Sequence, residues 1–138
     1  MSRRPAPPSG VAPPETVTLG DGTLVALRPL AELSAERHLR RHPEDLERYG
    51  DLARDWCIHD TQHLLQWAGL EAAGQLAMAT QVEWLARVLH ARGYPLANLA
   101  SSLGTAAEVA DEVLGEPGRP LADALRSAVG AVGADRPG

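Results

Sequence analysis

The sequence predicts an all-α protein, an antiparallel helical bundle of three to four main helices preceded by a short β-hairpin and a disordered Pro-rich N-terminus. Three long stretches, 43–68, 71–92 and 95–114, place apolar residues on one side of a helical wheel. The links between them are short, which favours neighbouring helices that run in opposite directions. Two β-prone runs around a Gly-containing turn add the hairpin.

The first 29 residues precede the helical region. Residues 1–14 hold five prolines and almost no large apolar side chain, so we expect a disordered leader. Residues 15–29 place two β-forming runs around Gly20-Asp21-Gly22, which predicts a hairpin. An isolated hairpin is marginally stable in water, so it must lie on the helical body or on another chain.

The helical bundle domain is predicted over 30–130, with a flexible tail over 131–138. Ser34 is the expected N-cap of a short first helix. Gly69 and Gly93 are the expected stops of the second and third helices, because glycine commonly follows a helix C-terminus. In chain order, the expected helices cover 35–41, 43–68, 71–92, 95–114 and 120–129.

The stretch 95–114 has the cleanest amphipathic pattern in the chain. Its apolar stripe includes Leu99, Leu103 and Ala110. The opposite side of the wheel carries polar residues, namely Asn98, Ser101, Thr105, Glu108 and Glu112. The apolar stripe is therefore expected to face the core of the bundle.

Composition narrows the classes of function. The chain has 138 residues and a net charge of −5, which argues against nucleic-acid binding through a general positive field. One cysteine makes an internal disulfide impossible, and no stretch approaches the apolar length of a membrane span. We expect a cytoplasmic protein that neither binds nucleic acid nor inserts directly into a membrane.

One cluster in the second predicted helix has metal-ligand chemistry. His59 and His63 are four residues apart, so both rings can leave the same face of a helix and bind one divalent metal ion. Asp60 and Cys57 lie on the adjacent apolar stripe, where a carboxylate has to be paired, protonated or metal-bound. The alternative is that all four are ordinary helix residues, with Asp60 hydrogen-bonded to a neighbouring helix.

A second cluster, Arg37, His38, Arg40 and Arg41, forms a small basic patch near the end of the first predicted helix. Such a patch can bind an anion or an acidic partner. Its alternative is a solvated helix end, where positive charges interact favourably with the helix dipole.

Several large apolar side chains lie away from the main stripes. Trp84, Leu65 and Ile58 occupy second faces of their helices, and such groups need a covering surface. The rest of the chain or another subunit can supply it. Because tryptophan is favoured at binding hot spots, we predict a protein interface built on Trp84, Leu65, Ile58 and Trp67.

The functional prediction is a small non-enzymatic accessory or regulatory module. It acts through homo-oligomerisation or by docking onto a larger protein, and it needs no cofactor. No nucleophile stands on a strand-turn-helix elbow and no Gly-rich phosphate loop precedes a helix, so no catalytic residue is predicted. The alternative is a metal- or cofactor-binding sensor bundle centred on His59, Asp60 and His63.

Overall fold

The computed structural model describes residues 12–133, and within them it confirms the predicted helical bundle with an N-terminal hairpin. Most of the predicted leader and the end of the predicted tail lie outside these residues. The chain forms strands β1 (Thr16–Thr18) and β2 (Leu24–Ala26), followed by helices α1 (Leu27–Arg41), α2 (Pro43–Tyr49), α3 (Leu52–Ala72), α4 (Met78–Ala91), α5 (Leu96–Leu114) and α6 (Arg119–Val132). A short 3-10 turn, Glu116–Gly118, joins α5 to α6.

The hairpin is antiparallel and in the register that pairs Val17 with Val25. Both valines are buried, so one face of the hairpin rests on the helices. Gly22 has a φ of 90°, a left-handed conformation that glycine adopts without steric cost. The hairpin ends earlier than the predicted boundary at residue 29, because Leu27 already begins α1.

Helix α1 corrects the prediction for Ser34. The helix begins at Leu27, and Ser34 lies in its interior with 2% of its surface exposed. Pro29 does not stop the helix because it lies in the first turn, where backbone N–H groups have no acceptor within the helix. Ser34 follows Leu30 and Ala31 on the buried face of the helix and is not an N-cap.

Two glycines divide the second predicted helix differently from expectation. Gly50 has a φ of 63° and separates α2 from α3, so one predicted helix becomes two. Gly69 does not end α3, which continues to Ala72. A Cβ atom on Gly69 would clash with Cγ2 of Val17, so glycine at this position lets the hairpin pack closely against the helix.

The C-terminal half follows the predictions more closely. Helix α4 starts at Met78, later than predicted, where Oε1 of Glu71 accepts a hydrogen bond of 2.8 Å from the Met78 N–H. Helix α5 matches its predicted span to one residue. Helix α6 extends to Val132 and therefore includes the first residues assigned to the tail.

Helix α5 packs against both α6 and α1, and α3 packs against α1 and α6. One continuous hydrophobic core joins the hairpin to the helices and includes Leu27, Leu64, Leu85, Leu103 and Leu125. Within residues 12–133, no helix combines the length and apolar character needed to cross a membrane.

Candidate functional site

A buried polar network links α1, α2, α5 and the turn before α5. Its centre is Asp45, which is 4% exposed. Oδ2 of Asp45 lies 3.0 Å from Nε2 of His38 and accepts a hydrogen bond of 2.7 Å from the Tyr94 hydroxyl. Oδ1 accepts a bond of 2.9 Å from Nδ2 of Asn98. Nδ1 of His38 lies 3.2 Å from Oγ of Ser102, which completes the network.

The network keeps Asp45 ionised. Burial by itself raises the pKa of the Asp45 carboxyl, but the hydrogen bonds from His38, Tyr94 and Asn98 outweigh burial and lower the pKa below its ordinary value. Burial and the bond to Asp45 both raise the pKa of the Tyr94 hydroxyl, so Tyr94 stays protonated and donates. Because the ionised Asp45 carboxylate can only accept, Nε2 of His38 donates the hydrogen bond between them.

A second, more exposed chain of hydrogen bonds lies beside the first. Nδ1 of His42 is 3.0 Å from Oε2 of Glu44, and its Nε2 is 2.9 Å from Oγ of Ser101. Asn98 joins the two chains, because its Nδ2 also donates to Glu44 at 3.3 Å. The rings of His38 and His42 are 4.8 Å apart at their centres. The polar face of α5 is therefore bound to α1 and α2 through paired histidines.

A partly enclosed cavity of about 330 Å³ adjoins this network. It lies where α2, the first half of α3, the end of α4 and the start of α5 meet. Aliphatic and aromatic side chains form most of its wall. Asp45 and Ser102, which share His38 as a hydrogen-bond partner, form the part of the wall that we call its polar end. The wall comprises Asp45, Tyr49, Ala53, Trp56, Cys57, Asp60, Thr61, Leu64, Leu89, Arg92, Tyr94, Leu99 and Ser102.

A second cavity, of about 510 Å³, lies between β1, the end of α3 and the start of α6. Among residues 12–133, its wall contains Thr16, Gln66 and Leu121 but no residue with an ionisable side chain. This second cavity therefore lacks charged groups that could select a ligand by its chemistry, and the first cavity is the better candidate for a ligand site.

The order Ser102, His38, Asp45 has the connectivity of a nucleophilic triad. Acyl transfer also needs donors for the developing oxyanion. Ser102 lies in the interior of α5, where the neighbouring backbone N–H groups are engaged in helical hydrogen bonds. The geometry therefore supports positioning of α5 and contact with a ligand better than it supports covalent catalysis.

The residues of the predicted metal cluster are close together but do not form a complete site. The rings of His59 and His63 are 4.9 Å apart, and Nδ1 of His59 lies 3.0 Å from Oδ1 of Asp60. Burial raises the pKa of Cys57 to about 12, so its sulfur is a protonated thiol. Within residues 12–133, no group of three or more His, Cys, Asp or Glu side chains is placed to hold a metal ion.

The predicted anion patch is occupied by the protein's own carboxylates. Arg37 makes bonds of 2.7 and 3.0 Å to Glu112, and Arg41 makes bonds of 2.9 and 2.8 Å to Glu108. His38 is buried and belongs to the Asp45 network, whereas Arg40 is exposed. These contacts make the patch an attachment of α1 to α5 and not an open site for anions.

The four predicted interface residues separate into three groups. Leu65 and Ile58 are 1% and 2% exposed, so the chain's own core covers them and they present no docking surface in the fold. Trp67 is partly buried, and its ring lies 5.9 Å from that of His63. Trp84 is 37% exposed and stands on the surface of α4.

Tyr94, Asn98 and Ser102 did not emerge as site residues from the sequence. One feature of the sequence does point to a packed polar face. The polar side of 95–114 carries short uncharged side chains in its first half, and its charged residues, Glu108 and Glu112, come later. A solvent-facing stripe is usually rich in charge, so uncharged polar residues at helical spacing indicate a packed polar face. Nothing in the sequence showed that Asp45 would be their partner.

No family model, no curated protein and no solved structure matches this chain. The geometry of the site is therefore the basis for the proposed function.

Proposed function

We propose that this chain is a non-enzymatic helical module that binds a small organic molecule in the cavity beside Asp45. The observation that carries the proposal is the cavity itself, with its volume of about 330 Å³ and an apolar wall that ends in convergent polar groups. Well-packed interiors leave few voids larger than a water molecule. Ligand sites, in contrast, combine apolar walls with a few fixed polar groups and measure about 300–1,000 Å³.

The polar end of the cavity is rigid. Asp45 is held by three donors, from His38, Tyr94 and Asn98, so its carboxylate cannot turn away when the cavity fills. Ser102 is positioned by His38. Preorganised polar groups lower the ordering cost of binding, which supports a binding role for this end of the cavity.

The test is a titration with N-phenyl-1-naphthylamine, an uncharged fluorophore that brightens in apolar sites. We expect saturable binding of one molecule per chain. Ala53 lines the cavity, so Ala53→Phe fills it and should weaken binding at least about tenfold. The matched control is Ala79→Phe, at an exposed position of α4 outside the cavity, which should bind as the native protein does.

An independent readout uses tryptophan. Of the three tryptophans, only Trp56 lines the cavity, so replacing Trp67 and Trp84 with Phe leaves a single reporter inside the site. Ligand should change its emission. Circular dichroism confirms that each variant folds. Absence of binding to the folded native chain, or equal binding by Ala53→Phe and Ala79→Phe, would contradict the proposal.

A second candidate function is docking onto a protein partner or a second copy of the chain. It is favoured by Trp84, a large apolar side chain that is 37% exposed although Met78, Val82, Leu85 and Leu89 of the same helix are buried. Trp84→Ala should then weaken assembly in sedimentation experiments more than it lowers the free energy of unfolding. Equal losses in the two measurements would count against docking through Trp84.

A further inference from the structure

The cavity wall carries an excess of negative charge. Asp45 and Asp60 contribute two carboxylates, whereas Arg92 contributes the one guanidinium among the wall residues. All three charged groups also have partners within the chain: Asp45 in its network, Asp60 with His59, and Arg92. Since an apolar wall weakens the screening by water, a net negative charge there favours a positively charged ligand.

Three aromatic rings lie together in the same wall. The Tyr49 ring is 5.8 Å from the Trp56 ring and 6.2 Å from the Tyr94 ring, measured between centres. The faces of aromatic rings carry partial negative charge and attract cations within about 6 Å. Tyr49 already attracts one, because the guanidinium carbon of Arg48 lies 5.4 Å from its ring centre.

The polar groups at the end of the cavity accept hydrogen bonds. The Asp45 carboxylate has acceptors only, and the hydroxyl oxygen of Ser102 can also accept a hydrogen bond. A positively charged ligand is attracted to the Asp45 carboxylate whether or not it carries N–H groups, whereas a carboxylate or phosphate would place a second negative charge beside it.

We propose that the cavity takes an organic cation, an ammonium or quaternary ammonium group on an apolar body, in preference to a neutral or anionic molecule of the same shape. The aromatic cluster contacts the charged group and the aliphatic wall contacts the body. This inference rests on the proposed binding function and adds the class of ligand.

The experiment compares three probes of matched shape as competitors of N-phenyl-1-naphthylamine on the full chain. They are benzyltrimethylammonium, its uncharged isostere neopentylbenzene, and the anion phenylmethanesulfonate. We expect the cation to displace the fluorophore at a concentration about tenfold lower than the isostere requires, the size of effect expected for partly desolvated cation–π contacts. The anion should be the weakest competitor.

A charge variant locates the effect. Asp60→Asn keeps the shape of the wall but removes one charge, and it should weaken binding of the cation about threefold to tenfold more than it weakens binding of the isostere. Glu47→Gln is the control, because Glu47 is exposed on the neighbouring helix and does not line the cavity. If Asp60→Asn fails to fold, the ranking of the three probes on the native chain decides whether the cavity prefers a cation.

The outcomes separate the two proposals. If the cation and the isostere displace the fluorophore equally, or if the anion is preferred, the cation inference is overturned. Saturable binding of the fluorophore in the same experiment would still support the ligand-binding function. Failure of the fluorophore and of all three probes to bind the folded chain would overturn both.

Discussion

Helix α5 has two faces that hold the protein together in different ways. One face packs Leu103, Ala106 and Ala110 into the continuous core that it shares with α6. The other presents Asn98, Ser102 and Thr105 to α1 and α2, all through hydrogen bonds. Both faces are buried over much of their length, although only the first is apolar.

The difference shows how one helix obtains both stability and a defined position. Apolar contacts are nondirectional, so the α6 side stabilises α5 without strongly fixing its register. Hydrogen bonds are directional, and a fully satisfied buried network specifies one arrangement. The directional side is also the side that borders the cavity, so the network that orients α5 supplies the polar end of the proposed ligand site.

The largest expected effect comes from breaking the polar face at its centre. Asp45→Ala leaves His38, Tyr94 and Asn98 without their shared acceptor in a buried site, and we expect the free energy of unfolding to fall by about 3–5 kcal/mol. Urea denaturation measures this loss. Asp45→Asn retains one acceptor and should lose less; a loss below about 1 kcal/mol in Asp45→Ala would show that the network contributes little.

Breaking the apolar face should have a similar or slightly smaller effect. Leu103 is fully buried, and Leu103→Ala removes its packing and leaves a cavity, with an expected loss of about 2–5 kcal/mol in the same denaturation experiment. Val113→Ala on the same helix is the control. Val113 is 53% exposed, so its truncation should change the stability by about 0.5 kcal/mol or less.

Acid should distinguish the two faces. Because the pKa of Asp45 is lowered in the folded state, the unfolded chain takes up this proton first as the pH falls. The stabilisation is therefore complete at neutral pH and declines as the pH falls through the ordinary value of 3.8 towards the folded pKa. The difference between the native chain and Asp45→Ala should shrink as the pH falls below about 5, whereas the Leu103→Ala difference should persist.

The smallest effect is expected at the exposed edge of the polar face. Arg37→Ala removes the bonds to Glu112, which lie at the surface where water and salt screen them. The denaturation midpoint should shift less than in either buried variant, and molar sodium chloride should abolish the shift. A salt-independent loss as large as that of Leu103→Ala would mean that the guanidinium contributes mainly through packing.

Prediction from the sequence succeeded where a pattern is local. The hairpin around Gly22 and the full length of α5 follow from turn chemistry and amphipathic spacing. The predicted helix boundaries were wrong at two glycines. The predicted helix over 43–68 ran through Gly50, which has a left-handed φ and separates α2 from α3, and ended at Gly69, which lies within α3 and accommodates Val17 of the hairpin.

The candidate site was predictable only in part. The sequence drew attention to Cys57 and Asp60 as metal ligands, and both do line the cavity, but no sequence pattern predicted the cavity itself. It also marked His38, but as part of a surface patch, whereas the side chain is buried against Asp45. The groups that meet at this site are up to 64 residues apart in the chain, as His38 and Ser102 are.

The sequence by itself determined the class of fold, the order of hairpin and helices, and the apolar stripes, because each depends on hydrogen bonds and spacings within a few residues of the chain. Only the tertiary structure decided that the polar side of α5 is buried, that Arg37 and Arg41 pair with Glu112 and Glu108, and that a cavity opens beside Asp45. A polar stripe is equally compatible with water and with a matching polar neighbour. The choice between them depends on which helix the fold places opposite, and that is a property of the whole chain.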